Sequence, residues 1–183
     1  MNPPGEVKVV GVADCRLGRV PVAVLATYAL GSCVAVVAWD WKQHMGGLLH
    51  VMLPDSLIDP ARAQSNPWVF ADTGVSALFT ALTQAGSVKS SLRWSIAGGA
   101  AMISDFAHFE TGKRNYLALK KILWRMGVFI EHEDVGGTES RSVRLDLQTG
   151  QLTVRRGMTP VHILAPAALE VMKGRAENAS AYR

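Results

Sequence analysis

From Val20 to Trp39 the chain runs for 20 residues without a charged side chain, long enough by count to cross a bilayer as one helix. What stands inside the run opposes that. Pro21, the Gly31-Ser32 break and six valines suit two buried β-strands joined by a turn, because β-branched side chains pack well on a pleated surface while proline and glycine interrupt a helix. The run therefore predicts the centre of a buried sheet and no membrane span. A chain of 183 residues built on such a centre folds as one domain, with room for one core.

Around that run the pattern reads as many strands and few helices. Val7 to Ala13 and Val20 to Tyr28 are expected as the first two strands, with Cys33 to Trp39 and Leu48 to Leu53 as the arms of a hairpin across the polar turn Asp40 to Gly47. Asp55 to Asn66, with prolines near both ends and no clear period, reads as a loop suited to binding. Asp72 is the expected N-cap of a helix in which Val75, Leu78, Phe79, Leu82 and Ala85 recur at helical spacing until Gly86. Leu92 to Ala97 reads as a strand that ends at Gly98-Gly99. A second helix spans about Asn115 to Met126, with Leu117, Ile122, Leu123 and Met126 as its apolar residues, and Val128 to Glu133 returns to strand. Arg141 to Leu147 and Gln151 to Arg155 alternate about Gln148-Thr149-Gly150, as a hairpin does. The expected class is α/β of the α+β type: a single-domain layered sandwich over residues 1–166, with a mixed, largely antiparallel sheet and two main helices. A C-terminal helix and frayed tail are expected over 167–183.

Charge and cysteine content close off several functions. Nineteen Lys plus Arg against fifteen Asp plus Glu leave a net charge of +4, and the cations are scattered, which predicts no nucleic-acid partner. Cys15 and Cys33 cannot build a disulfide framework, and no CxxC or histidine cluster offers a metal cage. Reduced thiols in a cytoplasmic protein follow. The first residues, MNPPGEVKVV, lack the basic start and apolar run of a secretory signal. Gly98-Gly99-Ala100 lacks the GK[ST] ending of a phosphate loop and no GxGxxG occurs, which disfavours nucleotides. No cofactor and no metal are expected.

Cys33 follows Leu30-Gly31-Ser32, where a tight turn can expose backbone N–H groups beside its sulfur. Acyl transfer needs such donors, because negative charge develops on a carbonyl oxygen. A free thiol is mostly protonated at neutral pH and needs a base before it attacks an amide. His50, seventeen residues onward on the returning arm of the hairpin, meets the sulfur if the two share a face. On the residues alone, Cys33 is either a nucleophile or a small apolar filler in a valine-rich strand, and His50 either a base or an interior histidine. Cys15 has neither a Gly-Ser turn nor a nearby histidine and reads as filler. The pairs Gly98-Gly99 and Gly136-Gly137 read as turns that need positive φ or close backbone approach.

The run Thr27-Tyr28-Ala29-Leu30-Gly31-Ser32-Cys33-Val34-Ala35-Val36, followed by Gly46-Gly47-Leu48-Leu49-His50-Val51-Met52-Leu53-Pro54, resembles the signature of the CheD family of chemoreceptor glutamine deamidases. Further blocks continue the resemblance: Gly98-Gly99-Ala100-Ala101-Met102, Gly112-Lys113-Arg114-Asn115, and Asp134-Val135-Gly136-Gly137-Thr138 with Arg141. Together they run in the family's order from about residue 20 to 157. Phe70 stands where the family more often has tyrosine, and Glu139-Ser140 where a basic residue and glycine are commoner.

This resemblance implies that Cys33 is the nucleophile, His50 its base, and Thr27, six residues before the cysteine, the group that orients the imidazole. Ser32 and Gly31 are then expected to supply backbone support for the oxyanion, and Gly98, Gly99, Gly136 and Gly137 to shape access. Arg114 and Asn115 are expected to cap a helix or bond buried carbonyls rather than touch substrate. The implied reaction is hydrolysis of glutamine side-chain amides on the cytoplasmic helices of methyl-accepting chemotaxis receptors, with glutamate methyl esters as a further substrate class. Those receptors and the phosphatase CheC are the implied partners. A non-catalytic adaptor binding receptors or CheC, and a cysteine peptidase, are the competing readings.

Overall fold

The computed structural model describes residues 6–21, 24–101 and 110–167. In chain order its strands are β1 (Val7–Val9), β2 (Asp14–Arg19), β3 (Val24–Leu30), β4 (Val34–Asp40), β5 (Met45–Val51), β6 (Leu92–Gly98), β7 (Ile130–Val135), β8 (Arg141–Asp146), β9 (Leu152–Arg156) and β10 (His162–Ala165). The helices are α1 (Pro60–Ser65), α2 (Ala71–Gln84) and α3 (Thr111–Arg125). A central sheet runs in the order β2-β5-β4-β6-β7 and an outer sheet in the order β1-β3-β8-β9-β10. Among the described strands, β1 with β3 and β6 with β7 pair parallel and the other pairs are antiparallel. The fold is the mixed, largely antiparallel α+β sandwich expected.

The charge-free run explains the layering. β4 is buried at all seven positions, and its side chains divide with the period of two that a strand imposes. Val34, Val36 and Ala38 pack with Val75, Leu78, Leu82, Leu119 and Leu123 of the helices. Ala35, Val37 and Trp39 pack with Leu25, Val143, Leu145 and Val154 of the outer sheet. The order of layers is thus helices, central sheet, outer sheet. Residues such as Leu78 and Leu82, fully buried, each contribute about 1.5–3 kcal/mol of burial. The two apolar strands of the run are not sheet neighbours: Gly31-Ser32 carries the chain from β3 in the outer sheet to β4 in the central one.

Several expectations are corrected. The first strand stops at Val9, and Asp14–Arg19 forms a strand that the sequence conceals, because β2 lies at the edge of its sheet and inserts only Cys15 and Leu17 among the helices. β3 starts at Val24 rather than Val20. Asp55 to Asn66 is not a loop. It holds a short 3-10 turn (Ser56–Ile58), whose N-cap Asp55 accepts from Leu57 N–H, and α1, whose N-cap Asp59 accepts from Arg62 N–H with Pro60 at the first position; a second 3-10 turn (Pro67–Val69) follows, with Asn66 accepting from Trp68 N–H and Pro67 first. Phe70, not Asp72, is the N-cap of α2; the Asp72 carboxylate accepts instead from the Ser56 N–H and hydroxyl. α3 begins at Thr111 and buries Gly112, Asn115, Leu119 and Leu123, leaving Leu117 exposed. β10 had no counterpart in the sequence reading. The expected C-terminal helix and Met102 lie outside the described residues. Among the described residues no helix is long and apolar enough to cross a membrane.

Candidate active site

His50 lies on β5 between Leu49 and Val51, which face the helices; strand alternation turns its imidazole the other way, toward the outer sheet. Thr27 comes from that outer sheet. On β3 it shares the inward face of Leu25, and a β-bulge follows it: Thr27 pairs with Val143 and Leu30 with Arg141, so three steps on β3 match two on β8. The extra residue, with Ala29 at φ 54°, lets both Thr27 and Leu30 point inward, which unbroken alternation would forbid. Thr27 and His50 are 0% and 1% exposed.

The Thr27 Oγ1 to His50 Nδ1 distance is 2.8 Å, and Oγ1 also lies 2.8 Å from the Val10 carbonyl oxygen. A hydroxyl has one proton, and the Val10 carbonyl can only accept. The hydroxyl therefore donates to Val10, and His50 Nδ1–H donates to Thr27. This fixes the tautomer: the proton sits on Nδ1 and the lone pair on Nε2. Nε2 is buried and without a partner among the described residues. Burial also pushes the imidazole pKa down to about 4, with Asp14 opposing the fall, so His50 is neutral across the physiological range.

Cys33 sits at the mouth of β4. Ala35 pairs with His50 across the β4–β5 ladder, so Cys33, two residues earlier and packed on the same inter-sheet cluster, is the diagonal neighbour of His50 on one face. Diagonal pairs stand within reach of long side chains. The thiol is half-buried, and burial raises its pKa although its own backbone N–H lies against the sulfur and favours the thiolate. The resting pair is thus thiol and neutral imidazole. Cys15 differs on each point: it pairs with Leu49 and faces the helices, away from His50, and its thiol is pushed up to about 12 by burial and the Asp14 charge.

The turn before Cys33 is held from behind. The carbonyls of Gly31, Ser32 and Cys33 accept from Ala100 N–H (2.9 Å), Asn115 Nδ2 (3.0 Å) and Gly99 N–H (2.8 Å). With the carbonyls turned inward, the Ser32 N–H has no protein acceptor among the described residues, and the Cys33 N–H lies against its own sulfur. Gly98 and Gly99, at φ 122° and 65°, make this closure possible: a Cβ on Gly98 would collide with the Cys33 carbonyl oxygen. Gly136 and Gly137 form the next shell, donating from Gly136 N to Gly98 O and accepting from Ala101 N at Gly137 O. Asn115 bonds buried carbonyls as expected, whereas Arg114 lines an outer cleft of about 640 Å³ with Leu57, Leu117 and Lys121.

The sequence reading gave no role to three contributors, although it quoted Asp134 together with Arg141. Val10 fixes the direction of the Thr27 bond. Asp14 pairs directly with His50 across β2 and β5. Asp134, which is buried, gathers Arg141, Arg156 and His162 at 2.9–3.0 Å and so ties β7 of the central sheet to three strands of the outer one. Long-range pairing leaves no local pattern from which the parts of Val10 and Asp14 could be read.

The family described as CheD chemotactic sensory transduction matches residues 52–156. The chain is 54% identical over 144 residues to a probable chemoreceptor glutamine deamidase CheD of Solibacter usitatus, covering 79% of this chain and 85% of that protein. It is 40% identical to a probable chemoreceptor glutamine deamidase CheD 1 of Syntrophus aciditrophicus, covering 85% and 98%. To the chemoreceptor glutamine deamidase CheD of Bacillus licheniformis it is 38% identical, covering 83% and 93%. Matches of this extent and identity, together with the two-sheet fold that carries the quoted motifs, place the chain in the CheD family.

Proposed function

We propose that this protein is a chemoreceptor glutamine deamidase in which Cys33 is the nucleophile, His50 the general base and acid, and Thr27 the orienting group. One observation carries the reading above others: the Thr27–His50 hydrogen bond, whose direction leaves a free Nε2 lone pair on the face that bears Cys33. A base with one nitrogen held by an orienting group and the other unoccupied, on the sheet face that also carries a thiol, supports nucleophilic acyl transfer.

His50 Nε2 takes the Cys33 proton as the sulfur attacks the carboxamide carbon of a glutamine. The N–H groups of Ser32 and Cys33 receive the oxyanion; each such donor is typically worth about 10²–10³ in rate. The imidazolium returns its proton to the nitrogen, ammonia departs and a thioester remains. Water, deprotonated by Nε2, attacks the thioester; glutamate forms and the thiol is restored. A neutral hydroxyl stabilises the imidazolium less than a carboxylate would, and the Asp14 charge on the neighbouring strand offsets part of that difference. Glutamate methyl esters fit the same steps, with methanol as the leaving group. No step calls on a cofactor.

On this reading the substrates are the cytoplasmic helices of chemotaxis receptors, and the protein works in the cytoplasm. The test is to incubate it with receptor cytoplasmic fragments and follow glutamine-to-glutamate conversion by mass spectrometry. Conversion by the wild type that Cys33→Ala abolishes supports the proposal. Binding of receptor or of CheC with unaltered glutamines supports the adaptor instead, and backbone cleavage the peptidase.

A further inference from the structure

α3 buries a stripe of Gly112, Asn115, Leu119 and Leu123. One member of that stripe is polar, and its side chain is 0% exposed. Its Nδ2 donates at 3.0 Å to the Ser32 carbonyl and at 3.0 Å to the Met52 carbonyl. Both acceptors are carbonyls, so only the amide nitrogen can face them, and both of its protons are used. The amide oxygen meanwhile has no partner among the described residues. A buried carbonyl without a donor is a cost that an apolar side chain in the same stripe would avoid.

The two carbonyls identify what the donors hold. Ser32 is bonded directly to Cys33, and Met52 lies two residues beyond His50. These are the ends of β4 and β5 on which the sulfur and the imidazole ride, and each lies just outside the ladder that pairs Val34 with Val51. Beyond that ladder, the Asn115 amide bridges the two chain ends. Gly112, one turn earlier on α3, lets the helix come this close: a Cβ there would stand 2.5 Å from the Gly99 carbonyl oxygen.

We infer that Asn115 is a positioning residue, which sets the spacing of Cys33 and His50 by clamping the nucleophile turn to the end of β5. The inference rests on the proposed roles of Cys33 and His50. If the clamp works through that pair, its removal has no further effect once the base is gone.

The experiment is a double-mutant cycle on the iodoacetamide alkylation rate of Cys33 at neutral pH, using the full chain, with Asn115→Leu, His50→Ala and their combination, each folded by circular dichroism. Leucine fills the volume and removes both donors. Asn115→Ser, which retains one donor, serves if the leucine variant does not fold. The expected result is a loss of tenfold or more from the Asn115 substitution in the wild-type background and less than twofold in the His50→Ala background. An equal factor in both backgrounds, or no loss in the wild type, overturns the inference, since a merely structural residue acts alike in both. Failure of the deamidase reading shows elsewhere, as receptor glutamines left unaltered by the wild type, and leaves the alkylation cycle intact.

Discussion

At the residue scale the proposed chemistry turns on a proton that Thr27 cannot give. Because its hydroxyl is committed to Val10, the His50 tautomer is set by the fold, and Thr27→Val removes the acceptor for Nδ1–H and the donor for Val10 together. About 1–3 kcal/mol of stability is expected to go, with kcat falling about 10- to 100-fold, a part of the 10²–10⁴ that a positioned base supplies; Thr27→Ser restores most of both. Denaturant titration and turnover on a receptor fragment measure the two losses. The pH profile follows from the same residue. Burial lowers the His50 pKa to about 4, so the basic form persists well below the ordinary histidine range. The acid limb of kcat/KM is expected near pH 4 rather than near the ordinary value of about 6.5; a limb near neutrality would show that the imidazole is solvated.

At the element scale, two glycines divide structural from catalytic closeness. A Cβ at Gly47 would crowd the far end of the Leu78 side chain and otherwise make ordinary contacts, while one at Gly98 meets the Cys33 backbone and must also sit at φ 122°. Gly47→Ala is expected to cost about 1–3 kcal/mol of core strain with kcat unchanged. Gly98→Ala is expected to lose at least as much stability and to lower kcat more than tenfold, because the Cys33 carbonyl and the turn before it must shift. Unfolding curves and initial rates on both variants check this. How the elements were legible follows the same division. β4 could be read because a strand buried on both faces is apolar throughout, and α2 because its stripe is regular. β2 could not be read, since a six-residue edge strand with three charges and Gly18 resembles a loop. The capping residues of 55–67 were present in the sequence but carry little signal without the helix they cap. Cys33 and His50 were legible as types at a spacing, whereas their common face depended on the β4–β5 register.

At the scale of the whole molecule, the proposed site lies where two sheets meet, since Thr27 arrives from one and His50 and Cys33 from the other. Asp134 helps to hold the sheets together. Arg156 and Arg141 hold its carboxyl below the usual range against the opposing effect of burial. A lowered acid pKa stabilises above the unfolded value of about 3.9 and is lost as pH falls through the folded one. His50 acts in the same direction at higher pH, since the unfolded histidine takes a proton near 6.5 that the folded one refuses until about 4. The thermal midpoint is therefore expected to fall in two steps on acidification, and His50→Leu to remove the first. Asp134→Asn, which strands the buried Arg141 charge, is expected to cost about 3–5 kcal/mol at neutral pH. The resemblance named Thr27 with His50, but that the two come from different sheets was not visible in the sequence, because it depends on how the strands pair. The chemistry itself is tested by adding hydroxylamine to the wild-type protein as it turns over a receptor fragment. A thioester on Cys33 diverts part of the product to glutamyl hydroxamate at the reacting positions, and Cys33→Ala forms neither hydroxamate nor glutamate. Glutamate alone, formed as fast by Cys33→Ala as by the wild type, would contradict a cysteine nucleophile.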